Sequence, residues 1–179
     1  MLSRLDSLVD ETGALQSKLI LLVGRPGCGK TRLLAMLANR RGAKVMNVGA
    51  ALGKRLAALP LRQRALQANV VMRELAQSYA SGDLLLLDNI ELLFDQMLKL
   101  DPLDLLKRHA KALRVVAVWP GELRDGRLIY AEMGHPEYQD YGLDGLVPFE
   151  IDKFAESEFG RTECGPQGEP QGGGEQTVK

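Results

Sequence analysis

Acidic residues are missing from one long stretch of the sequence. Between Glu11 and Glu74 every charged side chain is basic, from Lys18 to Arg73. The formal net charge is zero, so the rest of the chain carries a matching acidic surplus. One small bound anion needs only two or three positive groups. The remainder of the basic region has three uses: nucleic acid, an acidic partner, or the acidic half of a second copy. The plain alternatives are a solvated basic face, or two signs that neutralise each other within one monomer. Cysteine is also scarce. Two residues make no disulfide framework, and Cys28 reads as a small side chain filling a variable loop position. Of the two histidines, His109 lies in a helix beside Arg108 and is expected to be solvated. His135, in "MGHPEY", belongs to a loop and has no sequence companions for a metal. No apolar run reaches the roughly 18 residues that a membrane span needs. The N-terminal "MLSRLDSLVDETG" places acids where a signal peptide is apolar. Together these predict a cytoplasmic protein with no membrane partner. Aromatic residues make up 5% of the chain, and few lie in the basic stretch. DNA held there would be met as duplex or backbone rather than through stacked single-strand bases.

What is present is one domain's worth of alternating apolar segments. With 179 residues the chain supports one full core and not two. Residues 3–12 read as an amphipathic helix with Leu5, Leu8 and Val9 on one face. Lys18–Val23 is a buried strand. A helix follows over 30–41, with Leu33, Leu34, Leu37 and Ala38 at helical spacing and Gly42 ending it. Lys44–Val48 is a second strand. Residues 49–59 are helical up to Pro60, and 61–80 form a longer helix with Leu61, Ala65, Ala68, Met72, Leu75 and Tyr79 along one stripe. "LLLLD", Leu84–Asp88, is apolar on both faces, as a central parallel strand must be. Asp101 caps a helix with Pro102 at its first position, running to about Ala112. "RVVAVW" is a fourth strand, and "RLIYAE" is expected as the fifth. Strands alternating with helices predict an α/β fold: three layers around a parallel five-stranded sheet. The domain spans 1–159. Residues 160–179, rich in Gly, Gln and Pro, are expected to be disordered.

"GRPGCGKT", Gly24 to Thr31, follows the first strand and opens a helix. It fits the G-x-x-x-x-G-K-[ST] phosphate loop with no mismatch. Its glycines let backbone N–H groups close on phosphate oxygens, and the helix adds its positive end. Gly24, Arg25, Pro26, Gly27, Cys28, Gly29, Lys30, Thr31 and Arg32 are therefore the candidate nucleotide-binding residues. Lys30 reaches the outer phosphates, and the Thr31 hydroxyl is a Mg²⁺ ligand. A second acid for the metal is needed at the end of a neighbouring strand, and Asp88 supplies it. Many P-loop ATPases then place a glutamate that polarises the attacking water. Here that residue is Asn89, whose amide orients water but takes no proton. Glu91 either approaches the site through a bent strand end or sits on the surface of the next helix. ATP and Mg²⁺ binding are thus expected, with hydrolysis slow or partner-dependent. The fourth strand ends in "VAVWPGE", where a polar sensor residue is usual. Trp119 and Pro120 read as packing and a turn. Arg108, Arg124 and Arg127 are candidates for a neighbour's site, each more often a plain surface arginine.

The N-K-x-D and D-x-x-G motifs of GTPases and the "LSGGQ" of ABC proteins are absent. The leucine-rich, acidic segment after Asp88 is not the arginine-rich lid of a small-molecule kinase. "GRPGCGKT" and the D-N-I-E strand end point to the AAA-like branch of P-loop NTPases. Too few residues remain for its C-terminal helical lid, so the lid is expected to be missing or supplied by another chain. "LLVGRPGCGKTRLL", "ALPLRQRALQANVVMREL" and "LLLLDNIELLFD" together resemble the BrxF family, the small P-loop proteins of type 3 bacteriophage-exclusion (BREX) systems. The resemblance covers most of residues 15–150. It implies a bacterial cytoplasmic protein with a nucleotide-dependent part in phage defence. Its partners would be other BREX proteins: a DNA methyltransferase, a large ATPase, a helicase and a phosphatase-like protein. By that match Gly24 to Thr31 bind ATP and Asp88 holds Mg²⁺. The non-hydrolysing alternative is a nucleotide-dependent switch or scaffold. Head-to-tail self-association, suggested by the charge asymmetry, would let an arginine of one copy complete the site of the next.

Overall fold

In the computed structural model, which describes residues 1–14, 18–131 and 133–151, five strands form one parallel sheet. Helix α1 (Leu2–Glu11) precedes β1 (Leu19–Val23), α2 (Lys30–Arg41) and β2 (Val45–Asn47). Helices α3 (Val48–Ala57) and α4 (Leu61–Tyr79) then lead to β3 (Leu84–Asp88). A 3₁₀ turn (Ile90–Phe94) and α5 (Pro102–His109) connect it to β4 (Arg114–Val118). Three short strands follow: β5 (Glu122–Arg124), β6 (Arg127–Tyr130) and β7 (Gln139–Tyr141). The last is β8 (Val147–Glu150). The sheet order is β2-β3-β4-β1-β8. β1 lies between β4, with Leu22 opposite Val118, and β8, with Val23 opposite Glu150.

β1 and β3 are buried along their full length, because helices cover both faces of a parallel sheet. Alternate β1 residues face opposite layers. Ile20 and Leu22 pack with Leu5 and Val9 of α1 and Leu33, Leu34 and Leu37 of α2. Leu19, Leu21 and Val23 share the other layer with α3, α4, α5 and Trp119. Local chemistry sets several boundaries. Asn47 ends β2 and caps α3, its Oδ1 accepting from the Ala50 amide at 2.9 Å. Asp101 caps α5 through the Asp104 amide, with Pro102 at the first position. Gly42 closes α2 in the left-handed conformation.

Four expectations are corrected. The fifth parallel strand is Val147–Glu150, and "RLIYAE" is not part of that sheet. Residues 127–130 instead form the middle of an antiparallel sheet, β5-β6-β7. The cause is the Asp125-Gly126 pair, both at positive φ (50° and 72°), which is the dihedral requirement of a two-residue hairpin. β8 carries Pro148 without cost because it is an edge strand. Second, Leu61 is 69% exposed. The buried stripe of α4 is Ala68, Val71, Met72, Leu75 and Ala76, and its first turn leaves the core. Third, His109 is half-buried rather than solvated, and its Nε2 has no partner among the described residues. Fourth, helix α5 ends at His109, short of Ala112. No helix follows β8 among the described residues. The predicted tail, 160–179, and the last part of the predicted domain lie outside them.

Candidate functional site

The phosphate loop leaves the C-terminal end of β1 and returns as α2. Gly27 and Gly29 adopt φ of 77° and 97°, a region where a side chain is strained. At Gly24 the constraint is space. A Cβ there would stand 2.7 Å from Cys28 Sγ and 2.7 Å from the Ile151 carbonyl. Cys28 is buried against Phe149 and Ile151, so the thiol packs the underside of the loop. Its amide donates to the Arg25 carbonyl at 3.1 Å, which tightens the turn. Arg25, Pro26, Gly27 and Arg32 are exposed around this turn. Lys30 Nζ donates to the Gly24 carbonyl, so the ammonium spans the loop from its last glycine to its first.

Thr31 and Asp88 meet at the sheet's C-terminal edge. Thr31 Oγ1 donates to Asp88 Oδ1 at 3.3 Å, across 57 positions of sequence. Asp88 is 6% exposed, and its Oδ1 also accepts from the Asn89 amide at 2.9 Å. The carboxylate is thereby aimed at the first turn of α2. A hydroxyl and a carboxylate oxygen converging beside a phosphate loop suit a hard divalent cation. Mg²⁺ takes few protein ligands and completes its shell with water and phosphate oxygens. Thr31 and Asp88 are the residues that would hold it.

Among the described residues the Asn89 and Glu91 side chains make no hydrogen bond to this pair. Asn89 stands at φ 51° and ψ 54°, a conformation that asparagine tolerates better than most residues. Its carbonyl accepts from the Gly49 amide at 3.0 Å, and its side chain is exposed. The left-handed turn swings the chain at once into the 3₁₀ turn. Glu91 is exposed there. Its charge, after burial and Glu137, helps hold the Tyr130 phenol above its ordinary pKa.

Trp119 extends the β1–β4 ladder, its amide donating to the Leu22 carbonyl at 2.9 Å. The indole is fully buried, packs edge-on against Phe94 and Tyr141, and donates from Nε1 to the Ile129 carbonyl at 3.2 Å. The expected packing role is what the structure shows, and this aromatic cluster anchors the antiparallel sheet. Arg124 pairs with Glu122, Arg127 with Asp140, and Arg108 with Asp104, all on exposed surface. His135 is exposed, and its Nδ1 accepts from the Glu137 amide.

One feature lay outside the sequence reading. A cleft of about 560 Å³ runs along the loop from Val23 to Cys28, and its far wall is Glu122, Leu123, Glu150 and Ile151. Its only sequence signals were the Asp-Gly hairpin and the edge-strand proline.

Residues 20–101 match the profile of the "ATPase family associated with various cellular activities (AAA)". The match opens in β1 and closes at the cap of α5, so it includes the phosphate loop and Asp88 and stops short of β4 and the antiparallel sheet. No curated protein matches the chain. The loop, the strand that feeds it, the acid opposite Thr31 and the matching profile make this a nucleotide-binding P-loop protein with an AAA-like core.

Proposed function

We propose that the chain binds Mg-ATP and hydrolyses it to ADP and phosphate, slowly or under stimulation by a partner. The observation that carries this reading is the Thr31–Asp88 contact at 3.3 Å beside Lys30. It provides a cation charge for the outer phosphates and two oxygens for the metal, which is most of what phosphoryl transfer asks of a protein. Bound Mg²⁺ supplies charge neutralisation on the phosphates. The loop amides orient the triphosphate, and Asp88 keeps its orientation through the Asn89 amide. Removing Lys30 or Asp88 (Lys30→Ala, Asp88→Ala) should abolish magnesium-dependent turnover. Turnover surviving in Lys30→Ala would refute the assignment.

The setting we propose is a bacterial anti-phage defence complex of the BREX type, in the cytoplasm. It rests on the stretches that resemble the BrxF family. Deleting the chain from a host that carries such a system should abolish phage restriction, and Lys30→Ala should fail to restore it. Restriction that persists without the chain would remove this setting.

A second reading is favoured by one observation. The position after Asp88 holds an exposed amide instead of a carboxylate. A non-hydrolysing switch or scaffold would bind ATP, keep it, and change its oligomeric state. Self-association head to tail is supported by α4, which exposes Leu61 and Leu66 beside Arg62 and Arg64. Such a basic, apolar face suits the acidic half of a second copy. DNA is the other proposed ligand of the 18–73 region, directly or through partners. Part of that region is occupied within the molecule: Arg40 and Arg41 pair with Asp6, Arg41 also with Asp10, and Arg55 with Glu74. Phosphate contacts by the remainder would make DNA affinity fall steeply with salt.

A further inference from the structure

We propose that Glu122 is the carboxylate that takes the proton of the attacking water, in place of the glutamate missing after Asp88. The inference rests on the ATPase reading above.

Sheet order points to it first. Asp88 ends β3, the phosphate loop leaves β1, and β4 is the strand between them. Whatever emerges from the C-terminal end of β4 therefore stands between the metal-side acid and the loop. Adjacent strands lie about 4.8 Å apart, so this exit neighbours both strand ends. The segment that emerges is Trp119-Pro120-Gly121-Glu122. Glu150 also faces the loop, but it ends β8, on the side of β1 away from Asp88. Glu91 is exposed in the 3₁₀ turn and lines neither of the clefts beside the loop.

Cleft geometry agrees with the sheet order. Glu122 lines the cleft along Gly24–Cys28. It also lines a second cleft, with Pro26, Pro120 and Gly121. Pro26 and Glu122 are the two residues common to both, so the carboxylate stands beside the tip of the phosphate loop.

The fold also fixes this position. A Cβ at Gly121 would lie 1.7 Å from the Ile129 carbonyl oxygen and 2.9 Å from Trp119 Nε1. Trp119 Nε1 bonds that same carbonyl. The chain thus passes Ile129 at backbone contact distance immediately before Glu122. Arg124 then holds the carboxylate at 3.2 Å. A base on so short a tether from a locked backbone keeps its place while substrate enters.

The chemistry balances without any further reactant. The water oxygen forms a bond to the terminal phosphorus of ATP. The bond from that phosphorus to the bridging oxygen breaks, and its electron pair leaves on the β-phosphate of ADP. The water proton passes to Glu122 Oε and then to solvent.

The test compares wild type with Glu122→Gln, measuring ATP turnover, ATP binding with Mg²⁺, and the melting midpoint. A general base contributes about 100-fold or more. Glu122→Gln should lose that factor in kcat while ATP Kd stays within about threefold and the fold still melts as wild type. Should Glu122→Gln melt early, Glu122→Asp keeps an acid for both the water and Arg124 and should turn over faster than the glutamine variant. Wild-type turnover matched by Glu122→Gln, with the loss appearing in Glu91→Gln, would overturn the assignment and leave the ATPase reading intact. A wild type that holds ATP without turnover would overturn both.

Discussion

Gly24 shows how little freedom the phosphate loop has. The position meets a thiol on one side and the Ile151 carbonyl on the other, each at 2.7 Å from where a methyl would go. Gly24→Ala should cost about 1–3 kcal/mol through overpacking. In a chain of this size that lowers the melting midpoint by about 2–4 °C per kcal/mol, and ATP affinity should fall with it. An unchanged midpoint in calorimetry would show that the loop can yield. Lys30→Ala should instead leave the midpoint in place and lose turnover about 100-fold or more, the scale on which one preorganised charge acts in a transition state. His109 carries a pH prediction. Burial, then the charges of Arg108 and Arg73, push its pKa below 6.5. The folded state therefore disfavours the imidazolium, and the unfolded chain takes up the proton first as pH drops. Stability is fully present above about pH 6.5 and declines as pH falls from there through the folded value. Melting midpoints followed from pH 7.5 to 5.0 should fall on the acid side, and His109→Gln should flatten that slope. An equal slope in the variant would assign the effect to other groups.

At the scale of elements, the Trp119 indole ties two sheets together. Trp119→Phe keeps most of the apolar contact with Phe94 and Tyr141 but leaves the Ile129 carbonyl without its donor. That should cost about 1–3 kcal/mol, and amide exchange should quicken first in β5 and β6. Uniform exchange would mean that the hairpin does not depend on this bond. Gly121→Ala tests the same joint more severely. These elements were also the hardest to read from sequence. β1, α2 and β3 are long or continuous patterns with defined ends: a fully buried LILLV, a helix closed by Gly42, a run of four leucines before Asp88. Each carries its own signal in apolar period and cap chemistry. β5, β7 and β8 are three or four residues each, and their pairing comes from tertiary contacts rather than from local pattern. The parallel sheet was legible as a count of five strands. Its membership was not, because the Asp125-Gly126 hairpin joins strands too short to show a period and Pro148 hides an edge strand. For the same reason the phosphate loop and Asp88 could be found by motif, while Glu122 could not. Its place is set by which strand lies between β3 and β1.

For the whole molecule, the separation of charge along the chain is partly resolved by folding. Arg41 joins Asp6 and Asp10, and Arg114 joins Asp10 and Asp83, so the end of α1 is clamped to α2 and to the start of β4. The guanidinium partners hold the Asp10 and Asp83 carboxyls below their ordinary pKa. The Asp10 and Asp83 carboxylates are exposed, so solvent strongly screens their pairs. These pairs spend only some of the basic region. Among the described residues no helix is long and apolar enough to cross a membrane. If the partners of the remaining basic surface include a second copy, per-protomer activity should climb with protein concentration and drop with added salt, since the two halves attract through charge. The measurement that tests the central claim most directly is ATP turnover with Mg²⁺ by wild type and Lys30→Ala across protein concentration. The account predicts turnover that requires magnesium, rises per protomer with concentration, and vanishes in the variant. Turnover that persists in Lys30→Ala, or none from wild type while it demonstrably holds ATP, would contradict it.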